Sequence, residues 1–204
     1  KLLNSGNTVD DTGNLSVQVH PDDEYAKANE PEDPSGKTES WIILDMDEAD
    51  KAGNPIVPVL YLGFKEDLAS KEAQVEFRKD LEEGTVNIAQ KYLNAIPVKK
   101  GDVFFIPAGT IHAIGKGILL VEVQQSSGTT YRVWDWNREP RRQLDIAKAM
   151  DVINFAKTER RDYEQIPQQI YSDGRNRVNS LISNNEFFAV EKITLDIKGA
   201  IKQD

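Results

Sequence analysis

Gly101-Asp102-Val103-Phe104-Phe105-Ile106-Pro107-Ala108-Gly109-Thr110-Ile111-His112-Ala113 is the stretch on which the fold turns. It reads as a short apolar strand opened by Gly-Asp, a Pro-Ala-Gly-Thr turn, and a second strand that carries a histidine. Closely spaced strands surround it, over 102–107, 111–114, 118–124 and 130–136, punctuated by Gly and Pro. Upstream, the run from Leu15 to His20 alternates: Leu15, Val17 and Val19 face one way, and Ser16, Gln18 and His20 the other. Residues 39–45 and 57–63 read as further strands, the first of them beginning on Glu39 beside the strand that carries Gln18.

Helices are few. Residues 65–83 have helical character, with Leu68, Val75, Phe77 and Leu81 among many charges and Gly84 as the stop. A short helix is expected over 89–93 and another over 143–157. Residues 4–14 read as a loop, 21–38 as an acidic, Pro-containing connection, 158–178 as a polar irregular linker, and 187–197 as strand. Many short strands around a Gly-Thr-x-His turn predict a mainly β fold, a double-stranded β-helix (jelly-roll) barrel of the cupin type. The domain reading is a metal-binding barrel over 1–142 with a helical insertion near 65–93. Residues 143–204 follow as a helix, a linker and the start of a second, incomplete cupin-like sheet. The chain opens on Lys1, with Leu2-Leu3 reading as the tail of a strand already under way, so a fragment of a longer chain is expected.

The composition, 39% hydrophobic and 29% charged over 204 residues, suits a globular chain with a core. A net charge of -9 argues against a nucleic-acid surface. No apolar run is long enough to span a bilayer and no signal peptide opens the sequence, so no membrane partner is expected and cytoplasm is the default. Without cysteine, a metal must be held by imidazole, carboxylate and amide oxygen.

The chain has two histidines, and each sits in a segment that reads as half of one metal site. Gln18 and His20, two apart on a strand face, can reach one point; Glu39 and His112 complete a set of amide oxygen, two imidazoles and a carboxylate. Such donors suit zinc or another divalent first-row ion. The plainer alternative is two ordinary histidines, one near a turn and one on a strand.

Leu15-Ser16-Val17-Gln18-Val19-His20-Pro21-Asp22-Asp23, Gly36-Lys37-Thr38-Glu39, Pro107-Ala108-Gly109-Thr110-Ile111-His112-Ala113-Ile114-Gly115 and Gln124-Gln125-Ser126-Ser127-Gly128-Thr129-Thr130-Tyr131-Arg132 together resemble type I mannose-6-phosphate isomerase, in its shorter bacterial form. The resemblance runs from about residue 1 to about residue 197. It implies a zinc-dependent cupin, with one Zn²⁺ per chain, that interconverts mannose 6-phosphate and fructose 6-phosphate through a cis-enediol, a step of carbohydrate metabolism. The family's metal ligands fall on Gln18, His20, Glu39 and His112, its active-site arginine on Arg132, the lysine of its Gly-Lys-Thr-Glu motif on Lys37, and the serine of its first motif on Ser16. The chain departs at Gly128, where family members commonly carry an aspartate, and in extent, since such proteins have further residues before this start and further strands after this end.

In that chemistry Arg132 supports developing negative charge or holds the sugar, Lys37 anchors phosphate or moves a proton, and Lys116 helps bind phosphate. The bland counterparts are a solvated Lys37, an Arg132 paired with Asp135 or Glu122, and Trp134 and Trp136 as barrel wall. The rival function is a cupin that binds metal and sugar phosphate without catalysis, motivated by Gly128. The identity of the proton-transferring base and the oligomeric state are not written in the sequence.

Overall fold

The computed structural model describes residues 2–4, 13–49, 52–183 and 185–196. Most of the loop expected over 4–14, Asp50, and residue 197 of the last expected strand lie outside the described residues. The chain divides into two compact units, Lys1–Glu164 and Gln165–Asp204.

The first unit runs β1 (Leu2–Asn4), β2 (Val17–Val19), α1 (Asp23–Asn29), β3 (Glu39–Met46), β4 (Val59–Phe64), α2 (Lys71–Glu83), α3 (Ile88–Tyr92), β5 (Leu93–Pro97), β6 (Val103–Ile106), β7 (His112–Ile114), β8 (Ile118–Gln124), β9 (Tyr131–Trp134) and α4 (Ile146–Val152). One sheet sets β1, β8, β3 and β6 side by side in that order; the other sets β5, β4, β7, β2 and β9. These strands pair antiparallel throughout. The two sheets make the mainly β cupin barrel that the strand pattern predicts.

Alternation builds the interior. Trp41 and Ile43, Phe104 and Ile106, and Ile118 and Leu120 from one sheet meet Leu60 and Leu62, Ile96 and Ile114 from the other in a single buried cluster. On β3, β6, β8 and β4 the two named residues lie two apart, so one face of each strand supplies the core. On the outer face of the second sheet, Val17, Val19, Ala113, Tyr131 and Val133 pack beneath Phe77, Leu81 and Ile88 of the helical insertion and Ala149 and Ile153 around α4.

Several expectations are corrected. The alternation assigned to Leu15–His20 does not persist: Val17 and Val19 lie in the outer cluster, whereas Leu15 packs against the interior one. The pairing register of β2 shifts between Val17 and Gln18, and an irregularity of this kind changes which face a residue takes. Residues 21–38 are not only a connection. Asp22 caps α1 by accepting the Tyr25 backbone N–H at 2.8 Å, and Asp23 and Glu24 in the first turn suit its dipole. The helix expected from residue 65 starts at Lys71, because the backbone N–H groups of Lys65 and Leu68 are taken by the carbonyls of Tyr92 and Phe155, and Ser70 supplies the cap. It stops as read, at Gly84 with φ 62°. The helix expected over 143–157 is only Ile146–Val152, because the Asn154 N–H leaves the helix to bond Gly109 O.

That short helix is not packed apart from the sheet: Ala149 and Ile153 share a core cluster with β2 and β9, and the first compact unit runs to Glu164. Nor is 158–178 simply a linker: it holds a 3-10 turn at Arg160–Asp162 and the strand Gln168–Ser172. Every side chain of that strand is exposed, which leaves no apolar periodicity to read. In the second unit, Gln168–Ser172, Arg177–Ile182 and Val190–Thr194 form a three-stranded antiparallel sheet.

The turn before β7 depends on Gly109. Its φ is +81°, and a Cβ there would meet Val152 O at 2.9 Å. Replacement by Ala incurs both the left-handed penalty and that clash, so Gly109→Ala is expected to lose about 2 kcal/mol. A urea unfolding midpoint equal to the parent's would contradict this account of the turn.

Candidate metal centre

Register, more than proximity in sequence, assembles the site. In the second sheet Gln18 pairs with Arg132 on β9 and with His112 on β7, and His112 pairs with Leu62 on β4. Paired residues share a face, so Arg132, Gln18, His112 and Leu62 form one row across four strands. Leu62 belongs to the interior cluster, which points the row into the barrel. In the first sheet Glu39 pairs with Ile106 and Gln124. Glu39 was expected on the strand beside Gln18; it lies instead in the opposite sheet, and its carboxylate meets the histidines across the interior.

His20 Nε2 stands 3.2 Å from Glu39 Oε1 and His112 Nε2 stands 3.8 Å from Glu39 Oε2. The Gln18 side-chain Nε2 is 3.2 Å from His112 Nε2, which puts the amide at the edge of the cluster. His20, Glu39 and His112 are the described residues whose ligand atoms gather in this way, all within 4.8 Å of one another. The three are 2%, 0% and 1% exposed.

Each imidazole is held by its far nitrogen. His20 Nδ1 lies 2.9 Å from Thr129 O and His112 Nδ1 lies 2.8 Å from Thr110 O. A carbonyl can only accept, so both Nδ1 atoms carry a proton, and in the neutral ring each Nε2 then presents a lone pair to the centre. His20 Nε2 and both Glu39 carboxylate oxygens then make no hydrogen bond although fully buried; Lys37 Nζ approaches Oε1 only as an ion pair. Leaving buried acceptors unsatisfied is costly, and a divalent cation satisfies all of them together. The donor set, two neutral imidazoles, a carboxylate and an amide, fits zinc or another first-row ion. Thr110 and Thr129 were not foreseen as part of the site, because a backbone carbonyl leaves no trace in residue identity. Gln124, whose buried Oε1 also lacks a partner, was quoted in a motif but given no role.

Lys37 is 7% exposed, with Nζ 3.2 Å from Glu39 Oε1, so it is not a solvated loop lysine. Arg132 does not pair with Asp135, whose carboxylate is held by Arg138 and Arg142. Its Nη1 donates to Gln143 O at 3.0 Å, its backbone N–H to Asp145, and its buried Nε lacks a partner. Ser16 is buried two residues before Gln18. Lys116 is exposed in the turn past the far end of β7, four residues from His112, which along a strand is about 13 Å. It is not brought to the cluster. Trp134 is buried and Trp136 half-buried, packed together in the wall as read.

Burial pushes the His112 pKa down to about 4, against the opposing pull of Glu39. Burial alone would raise the Glu39 carboxyl, but His20, His112 and Lys37 outweigh it and hold the group well below the usual carboxylate range.

No protein-family model matches the chain. It is 43% identical over 147 residues to the mannose-6-phosphate isomerase of Streptococcus mutans, covering 70% of this chain and 41% of that protein. It is 34% identical over 203 residues to the mannose-6-phosphate isomerase ManA of Bacillus subtilis, covering 96% of this chain and 56% of that one. The crystal structure of the mannose 6-phosphate isomerase from Bacillus subtilis superposes with a TM-score of 0.70 at 28% identity, over 90% of this chain and 52% of that one. The chain therefore spans about half the length of the relatives it matches. No helix among the described residues is long and apolar enough to cross a membrane.

The depressed His112 pKa has a consequence for the metal-free chain. Between about pH 6.5, the ordinary histidine value, and about pH 4, the unfolded chain binds a proton that the folded chain refuses. Stability from this group is therefore present above pH 6.5 and lost as pH falls toward 4. Glu39, also depressed, adds a loss of the same sign below its ordinary value. The urea midpoint should fall steadily over this range, and less steeply in His112→Gln. Equal slopes for the two proteins would refute the assignment to His112.

Proposed function

We propose that this chain, a homologue of mannose-6-phosphate isomerases along its matched length, carries the zinc site of an aldose–ketose isomerase. In this reading it interconverts mannose 6-phosphate and fructose 6-phosphate through a cis-enediol, as a cytoplasmic step of carbohydrate metabolism. The observation that carries the reading is the set of buried groups that make no hydrogen bond, His20 Nε2 and Glu39 Oε1 and Oε2, gathered with the Gln18 amide and the His112 imidazole.

Gln18, His20, Glu39 and His112 hold the ion. When bound, a divalent cation supplies positive charge that stabilises charge developing on sugar oxygens without a proton transfer. The protein's own groups do the rest. Arg132 lies beside Gln18 in the interior row, with its guanidinium tethered at one end to Gln143 O. It is permanently cationic, and its unpartnered Nε–H is a donor set in a water-poor interior, where such a donor is most effective toward a developing oxyanion. Lys37, buried against Glu39, suits moving a proton at Nζ better than anchoring a hydrated phosphate. Ser16 offers a buried hydroxyl near the first ligand for a sugar hydroxyl. Lys116 would hold phosphate only for a substrate that reaches along β7.

The rival reading is a protein that binds metal and sugar phosphate without turning it over. Three measurements separate the two: zinc content, turnover of mannose 6-phosphate, and exchange of its C2 proton with D₂O followed by NMR. The wild type is expected to hold about one zinc and to exchange the C2 proton; Gln18→Ala, His20→Ala and His112→Ala should lose both. Arg132→Ala should keep the metal and lose roughly 10²–10³ in kcat. Full turnover by a metal-free variant would end the zinc mechanism, and tight sugar-phosphate binding with no C2 exchange would establish the rival.

A further inference from the structure

His20 stands one residue beyond β2, so no strand pairing sets its ring. Its backbone carbonyl accepts from Gly109 N–H at 2.9 Å, and its ring is oriented by Nδ1 against Thr129 O. Thr129 is itself outside any strand, in the stretch 125–130 between β8 and β9. Something other than a sheet ladder must hold that carbonyl in place.

The holder is Asp33, from the acidic connection after α1. Its Oδ2 accepts four hydrogen bonds from three consecutive residues: Ser127 Oγ at 2.9 Å, Gly128 N–H at 2.8 Å, Thr129 N–H at 3.0 Å and Thr129 Oγ1 at 2.9 Å. Asp33 is anchored in turn, its own N–H donating to Glu30 O at 3.1 Å. The Glu30 carboxylate takes the Tyr131 hydroxyl at 2.6 Å, which ties down the far end of the same stretch. Hydrogen bonds to an ionised acceptor are the strong ones, and they draw the Asp33 pKa down, with the Thr129 hydroxyl the largest contributor.

We propose that Asp33 is a positioning residue for the metal centre: by clamping residues 127–129 it aims the Thr129 carbonyl at His20 Nδ1 and thereby keeps the His20 Nε2 lone pair turned toward the ion. This rests on the metal reading of the site but involves a residue that touches neither metal nor sugar. Outer partners of metal-bound histidines fix tautomer and ring orientation, and losing one typically weakens metal binding 10–100-fold. Here the partner is a carbonyl that no substitution can remove, so control passes to the carboxylate that holds it.

The test uses the full chain without a histidine tag, where the two native imidazoles give a simple ¹⁵N spectrum. In the metal-free wild type both rings should show the Nδ1–H tautomer. In Asp33→Ala the His20 signals should move toward a mixture of tautomers while those of His112, held by Thr110 O, stay put. Zinc affinity by titration calorimetry should fall about tenfold or more. Asp33→Asn, which keeps one neutral acceptor oxygen, should fall between, and it carries the comparison if the alanine variant does not fold. Unchanged His20 signals with zinc affinity within twofold of wild type would overturn the proposal. So would equal changes at both histidines, which report general loosening. If the wild type itself binds no zinc, the metal reading fails, and the tautomer of His20 alone decides whether Asp33 positions it.

Discussion

A carboxylate with no exposure to water lies at the centre of this barrel, and much of the unit is arranged around it. Burying an ionised Glu39 is expensive unless its charge and its lone pairs are both answered. Within the chain, Lys37 alone brings a fixed positive charge to the carboxylate, and the two imidazoles in their neutral form leave its lone pairs unanswered, since the ring nitrogens that face it are then themselves acceptors. Two acceptor nitrogens and two acceptor oxygens face one another across the interior. That is an unfavourable arrangement for a protein core and a favourable one for a cation. The barrel supplies the rigidity that keeps these groups together, because each is set on or beside a strand of an antiparallel sheet.

How the barrel does this is a matter of register. The row Arg132–Gln18–His112–Leu62 comes from four strands whose order in the sheet bears little relation to their order in the chain. A shift of one residue in β2 would turn Gln18 out of the interior and bring Val19 in. The irregularity between Val17 and Gln18 sits between an outward apolar residue and an inward polar one, and Val19 beyond it faces outward again. The helices contribute from outside: α2, α3 and α4 cover the outer face of the same sheet through Phe77, Ile88 and Ala149, so strands that carry the site inside are also packed from behind.

Much of this was legible in residue order. Period-two apolar positions announced the strands, and Gly84 marked the end of α2. The scarcity of histidine, with Gln18, His20, Glu39 and His112 standing in motifs that resemble a metalloisomerase family, pointed to the cluster that the fold assembles. Other features were hidden for identifiable reasons. The helix α1 was obscured because its seven residues are mostly polar and bury only Ala26, leaving no apolar stripe. The strand Gln168–Ser172 was obscured because none of its side chains is buried. Backbone groups carry no identity in sequence, so the carbonyls of Thr110 and Thr129, on which both tautomers depend, could not be read.

The sequence by itself determined which chemistry was available: no thiolate, two imidazoles, carboxylates and amides, on segments whose alternation demands sheets with an inside and an outside. These follow from local chemistry and from periodicity, which act over a few residues. Only the tertiary structure decided that Glu39 faces Gln18 from the opposite sheet, that Lys37 is buried on it, that Asp135 takes Arg138 and Arg142 and leaves Arg132 to the interior row, and that Lys116 lies past the end of β7 away from His112. Each of these depends on which distant strands pair and in what register. That choice is made by the burial of a whole core at once, which no single stretch of sequence can settle.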